Sequence, residues 1–388
     1  MLTVASYIAG PFFVTAVLLA ATDIIPGLWV MWLMIGYLTL ASCYSKHIGK
    51  LHSWLNSTVE NLTAREALFR QIENAPFKSA LTTGLQNEFQ HNGEKASHLI
   101  KQLSRQLKSL DQRYNAAGFL IFNGTMLWDF RVIGNINRWL NRHGDCLDRW
   151  YRALGEIDAL CALATYAFEN PEYVYPCIDR EGKTIMKAAD LGHPLIGKSR
   201  RVCNPLPEMP QKSFIIITGA NMAGKSTYLR TIGINYLLAL IGAPVAATAM
   251  TFSPTKLFTG LRANDSLADG ESYFFAELKR LQAVVKEASN GEPMFILLDE
   301  ILRGTNSADK QRGSLALVKR LITLPVAGVL ATHDLVLGAL AEQYPDNVSS
   351  YCFEAEIKGD SLTFDYTLHK GIAHNLNAYF LMEKMGIV

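Results

Sequence analysis

Residues 219–226 read Gly-Ala-Asn-Met-Ala-Gly-Lys-Ser, directly behind the apolar run Phe-Ile-Ile-Ile-Thr at 214–218 and ahead of a stretch with helical periodicity. No other part of the chain restricts its fold so tightly. A short β-branched run of this kind suits a strand buried on both faces. The glycines then let the backbone curl from strand into helix with its N–H groups turned inward, and the positive end of the helix behind them favours an anion. The pattern matches G-x-x-x-x-G-K-[ST] in the strand–loop–helix setting that gives the motif its meaning, so phosphate is the expected ligand. Gly219, Met222, Ala223, Gly224, Lys225, Ser226 and Thr227 are the candidate nucleotide-binding positions. Lys225 is placed to reach β- and γ-phosphates and the Ser226 hydroxyl to take a place on Mg²⁺.

Two further runs complete the chemistry. Met-Phe-Ile-Leu-Leu at 294–298 ends in Asp299 and Glu300, where a strand end followed by acids suits Mg²⁺ binding by Asp299 and polarisation of an attacking water by Glu300. Ala-Gly-Val-Leu-Ala-Thr at 327–332 delivers His333 and Asp334, and a histidine there can hydrogen-bond a γ-phosphate. A lone histidine at a strand end is more often structural. Together the three strand ends predict an α/β P-loop NTPase, ABC-ATPase-like, with a mostly parallel sheet, helices on both faces and the ligand beyond the carboxyl ends of the strands.

The chain has 388 residues, enough for two or three ordinary domains. Lys plus Arg number 37 against 35 for Asp plus Glu, a formal net charge of +2, so bulk charge does not indicate a nucleic-acid partner. The six cysteines have no C-x-x-C pair and no histidine set beside them; they read as reduced thiols rather than zinc ligands.

Residues 2–22 and 24–45 contain no charged side chain, and Asp23, Pro26 and Gly27 mark the break between them. Each run reaches the roughly 20 residues that span a bilayer. The expectation is a transmembrane helical hairpin over 1–50, in contact with the membrane through 1–45. Lys46, His47 and Lys50 follow it at once, which places the remainder on the cytoplasmic face of the inner or plasma membrane. The alternative is a buried hairpin of a soluble helical domain. From Leu51 to Asn170 the periodicity is helical. Leu99, Leu103, Leu107 and Leu110 mark an amphipathic helix whose Lys101, Arg105 and Lys108 form a solvated face or a DNA contact. Trp128, Trp139 and Trp150, with Arg131, Arg138, Arg142 and Arg149 nearby, read as core and rim, with base stacking as the other possibility. Asn170-Pro171 ends the helical region.

The segment from Thr218 to Arg230 is similar to the TGPNMGGKSTYxR of the MutS family of DNA mismatch repair ATPases, and 299–305 to its DEIxRGT. Residues 266–278 resemble the segment carrying the family's signature serine, and 331–334 its ATH segment. Residues 154–160, 192–194, 204–205 and 371–388 also fit, so the resemblance covers about 154–388. It implies a homodimer with two composite ATP sites, Asn221 in the phosphate loop and Ser272 acting in trans on the γ-phosphate of the second subunit. It also implies a helical lever at 51–183, an ATPase domain at 184–388, ATP and Mg²⁺ as cofactors, and double-stranded DNA as a partner. Catalytic roles fall to Glu300, His333 and Lys225, and metal binding to Ser226 and Asp299.

This chain departs from the family at Ala220 and Ala223, which stand for Pro and Gly, and at Leu302, where many members have Gly. The sequence before 154 leaves no room for mismatch-binding, connector and clamp domains, and the helical dimerisation segment is not reached by Val388. The function expected is therefore a membrane-tethered, DNA-dependent ATPase. The alternatives are an ATP-switched membrane scaffold or regulatory ATPase with a non-DNA partner, and a transporter subunit. The last is disfavoured because 266–278 lack an LSGGQ-like signature.

Overall fold

The computed structural model describes residues 2–220, 222–261, 273–302, 305–358 and 361–373. The chain divides into two compact units, Met1–Ala162 and Leu163–Val388.

The first unit is helical. Helices α1 (Leu2–Ala21) and α2 (Gly27–Ala64) form a hairpin broken where Asp23 and Pro26 stand. α2 runs past residue 50 without interruption. α3 (Glu66–Asn74) and α4 (Ala80–Glu88) follow, the latter started by Ser79, whose Oγ accepts the Thr82 N–H at 3.2 Å. A minimal ladder of β1 (Gln90–His91) with β2 (Glu94–Lys95) interrupts the helical pattern, a feature absent from the periodicity because it is only two residues deep. Next come α5 (Ala96–Leu110), a 3₁₀ turn at Asp111–Tyr114, α6 (Ala116–Met126) and α7 (Trp128–Glu169), which stops just before Pro171.

On α5, Leu99, Ile100, Leu103, Leu107 and Leu110 are buried, while Lys101, Arg105 and Lys108 face outward. They pack with Ile48, Phe69, Phe89, Ile136, Trp139 and Trp150 in one core, each large side chain contributing about 1.5–3 kcal/mol by leaving water. Trp139 and Trp150, 5% and 0% exposed, are core residues and cannot stack on bases. The hairpin is the opposite case. Of the apolar windows in α1 and α2, only 11% and 6% is buried within the chain itself.

The second unit holds two sheets. A six-stranded sheet has the order β12-β11-β6-β10-β9-β8, formed by β6 (Ser213–Gly219), β8 (Lys256–Gly260), β9 (Met294–Asp299), β10 (Val326–Ala331), β11 (Val348–Lys358) and β12 (Ser361–Lys370). All neighbours are parallel except β11 with β12. A second sheet of order β3-β7-β4-β5 comprises β3 (Cys177–Ile178), β4 (Thr184–Leu191), β5 (Asn204–Pro210) and β7 (Ala249–Phe252). It was not expected from the sequence.

Alternation along the strands divides the large sheet's side chains between two cores. Ile215, Ile217, Phe295, Leu297 and Val329 face α8 (Lys225–Leu240) and the second sheet. Phe214, Ile216, Ile296, Leu298 and Leu330 face α9 (Tyr273–Ala288), α10 (Ser307–Leu321), α11 (Leu335–Gly338) and α12 (Leu340–Gln343). Helices therefore cover both faces, with the second sheet adding to one of them. β10 fits so closely beside β6 that a Cβ on Gly328 would lie 2.2 Å from a ring atom of Phe214.

In the helical unit, Arg113 Nε lies 3.7 Å from Asp129 Oδ2, the side chains being 5% and 0% exposed. Arg113→Leu leaves a buried carboxylate without its counter-charge and is expected to cost about 3–5 kcal/mol, whereas pairing it with Asp129→Leu should recover most of that loss. Thermal unfolding of the two variants beside the parent chain measures the difference.

Candidate functional site

The site is assembled by parallel register. Ala331 of β10 pairs with Ile217 of β6 on one side and Asp299 of β9 on the other, so three strands end at one level and release their loops together. The ladder continues one residue further on each side, with Thr332 N–H donating to Ile217 O and Glu300 N–H to Ala331 O, both at 2.9 Å.

The loop after β6 needs its glycines. Gly219 has φ 146°, and a Cβ there would lie 2.6 Å from the Phe353 carbonyl oxygen of β11. Gly224, at φ 106°, opens α8. Between them Met222 takes φ 67° and its side chain is 79% exposed. Lys225, 5% exposed, donates from Nζ to the Gly219 and Ala220 carbonyls at 2.8 and 2.7 Å. A buried ammonium is tolerated because those carbonyls solvate it.

His333 joins the three loops. Its Nε2 meets Glu300 Oε1, while Nδ1 lies 3.1 Å from the Gly219 carbonyl and 3.4 Å from Lys225 Nζ. Glu300 thus faces the phosphate loop through one imidazole ring. Its backbone is in the left-handed region, φ 49°, as is Leu302 at 58°, a conformation that costs a non-glycine residue about 1–2 kcal/mol. The Leu302 N–H donates to Glu277 Oε1 at 2.8 Å, which helps hold the turn. Asp299 is 6% exposed, and its Oδ1 is buried without a hydrogen-bond partner. Asp334 plays a structural part, its Oδ1 capping α11 by accepting the Val336 N–H at 2.9 Å.

A cavity of about 530 Å³ opens against the loop. Met222, Ala223, Gly224, Lys225, Ser226, Thr227 and Glu300 line it; Gly219, Asp299 and His333 stand behind that lining. Asn221 and Ser272 lie outside the described residues. Among the described residues of its lining, the permanent charges are the cations of Arg200, Lys225 and Arg230 and the carboxylate of Glu300, a balance that suits a polyanion. His193 also lines the cavity; burial first, and then the charge of Arg230, hold its imidazole pKa below the ordinary value.

The far wall was not legible as a site in the sequence. It is made by His193, Val202, Asn204 and Tyr366, brought from β12 and the loop around β5. Asn204 explains how. Its Nδ2 donates to the Tyr366 carbonyl at 2.9 Å and its Oδ1 accepts the Leu368 N–H at 2.8 Å, clamping Tyr366 at φ 56°. The ring stacks on Phe364, centroids 5.9 Å apart, and a Cβ on Gly224 would lie 3.1 Å from its Cδ1. The advance signals were residues 192–194 and the Asn204-Pro205 pair, which gave no hint of an aromatic partner 162 residues from Asn204.

Gly219→Ala tests the loop geometry. An added methyl meets backbone rather than a movable side chain, so loss of nucleotide binding is expected together with a destabilisation of about 1–3 kcal/mol, read by calorimetric titration and thermal melting.

These residues lie within or beside the stretch from 215 to 381 that matches the family model for MutS domain V, the ATPase domain of the MutS family.

Proposed function

We propose that the chain is a Mg²⁺-dependent ATPase of the MutS type, working as a homodimer through its ATPase domain and held at a membrane by its N-terminal helices. The observation that carries the reading is the convergence of Lys225, His333 and Glu300 at one phosphate loop. Loop N–H groups and Lys225 bind the triphosphate, Glu300 accepts the proton of the attacking water, and His333 positions that carboxylate. Ser226 and Asp299 are the residues to hold Mg²⁺, and the unpartnered buried oxygen of Asp299 fits a divalent cation. Bound Mg²⁺ would neutralise charge on the phosphate oxygens. Tyr366 offers a ring for the nucleotide base.

In the same proposal Ser272 of one subunit caps the γ-phosphate held by the other, and ATP closes the dimer. Residues 1–50 serve as tether, 51–183 as lever and 184–388 as motor. Double-stranded DNA is the proposed effector, supported by the MutS domain V match and the outward Lys101, Arg105 and Lys108 of α5. Tethering at the cytoplasmic face is supported by two helices long and apolar enough to cross a membrane, Thr3–Ala21 and Gly27–Trp54. Val4, Ile8, Phe12, Leu18, Trp29 and Trp32 are exposed along them, far more apolar surface than a soluble protein usually leaves in one place.

Turnover of the full chain in lipid vesicles, with and without matched or mismatched duplex at fixed salt, tests this reading. Lys225→Ala should weaken ATP binding by about 10- to 150-fold through loss of a charged donor. Glu300→Gln should keep binding and lower turnover by about 10²–10⁴-fold. Unchanged turnover in either variant overturns the site, and indifference to both duplexes removes DNA as effector. Separately, Tyr366→Ala is expected to weaken ATP by about 1–3 kcal/mol if the ring stacks on the base, with a triphosphate lacking a base unaffected.

A further inference from the structure

A third apolar segment accompanies the hairpin. Residues 114–128 carry no charge, and the charges that bound them, Arg113 and Asp129, are buried against each other. The segment contains α6, whose Leu120 and Ile121 are 50% and 56% exposed. Its position along the hairpin is set by contacts at both ends. Arg113 Nη2 donates to Ser45 O and Oγ at 3.1 and 2.7 Å, and Ser45 is the last residue of the uncharged run before Lys46. At the other end, a Cβ on Gly124 would lie 3.0 Å from Met34 Cγ, and one on Gly10 3.3 Å from Met126 Cβ. Met34 and Gly10 are near the middles of the two uncharged runs.

We propose that α6 and the first turn of α7 form a re-entrant helical turn that dips into the cytoplasmic leaflet beside the α1–α2 hairpin and exposes Leu120 and Ile121 to lipid acyl chains. This rests on the membrane reading of that hairpin. If α1 and α2 span the bilayer, the contacts put Arg113 at the headgroup boundary and Gly124 and Met126 at mid-depth. α6 has the matching length: eleven residues rise about 16 Å, half of a hydrocarbon core of about 30 Å.

The turn at its tip pairs several of its polar groups within the protein, where lipid would offer them no partner. Leu127 is 3% exposed, and its N–H donates to Asn123 O at 3.3 Å. The Asp129 N–H donates to Asn123 Oδ1 at 3.0 Å and the Phe130 N–H to Leu127 O at 3.1 Å. The indole Nε1 of Trp128 donates to Ser109 O at 3.1 Å. Returning along α7, Phe130 packs with Ala9, Tyr37 and Leu40. Arg131 and Arg138 then lie over the Tyr7 ring, 4.9 and 5.5 Å from its centroid.

The test places the photoreactive residue p-benzoylphenylalanine singly at Trp32, Ile121 and Glu181 of the full chain in phosphatidylethanolamine–phosphatidylglycerol vesicles, and identifies adducts by mass spectrometry after irradiation. Glu181 is an exposed control. Lipid adducts at Trp32 and Ile121, with none at Glu181, are the expected result. Adducts at Trp32 alone, or protein adducts at Ile121, overturn the re-entrant turn and leave the hairpin's insertion standing. No lipid adducts at either position overturn the membrane reading itself and this inference with it.

Discussion

The placement of β10 between β6 and β9 is the constraint on which the site depends. Parallel pairing on both sides brings the ends of all three strands to one level, so the phosphate loop, the acidic pair and His333 leave the sheet as neighbours. Because side chains alternate between two well-filled cores, a slip of one residue would exchange the faces of an entire strand. The close fit of Gly328 beside Phe214 resists that slip further. Register, in other words, is what brings three separate motifs into one arrangement.

Within that frame the chemistry is electrostatic. A buried lysine is held by two carbonyls of its own loop, a carboxylate is held by a histidine, and the histidine also faces the loop. Each group is satisfied in the protein, yet Lys225 and Glu300 line one cavity, where the described charged residues are mostly cationic. Met222, Glu300 and Tyr366, which line this cavity, have positive φ values, and functional sites are where folded proteins commonly concentrate backbone strain. At Tyr366 the strain has a visible support in the two hydrogen bonds from Asn204.

The helical unit solves a different problem. One part of it buries tryptophans and leucines in an ordinary core, whereas α1, the first part of α2, and α6 turn apolar side chains outward. Buried Arg113 and Asp129 stand between these two regimes. Each is the other's counter-charge, so neither is left isolated where both are buried.

Much of this was legible in the residues. The strand runs at 214–218, 294–298 and 327–332, the helix carrying Leu99 to Leu110, the stop before Pro171 and the two uncharged N-terminal runs all reflect local pattern, and local pattern is written in consecutive residues. So is the phosphate loop, whose glycines and lysine must stand at fixed spacing. Sequence alone did not reveal the second sheet, the pairing of Arg113 with Asp129, the His333–Glu300 contact, or Tyr366 as a wall of the cavity. Those depend on residues far apart in the chain being brought together by packing, and no periodicity records which distant partner a side chain will meet. The sequence by itself determined which chemistry each strand end carries; the tertiary structure decided which of those groups touch, because only strand order and register convert position along a chain into distance in space.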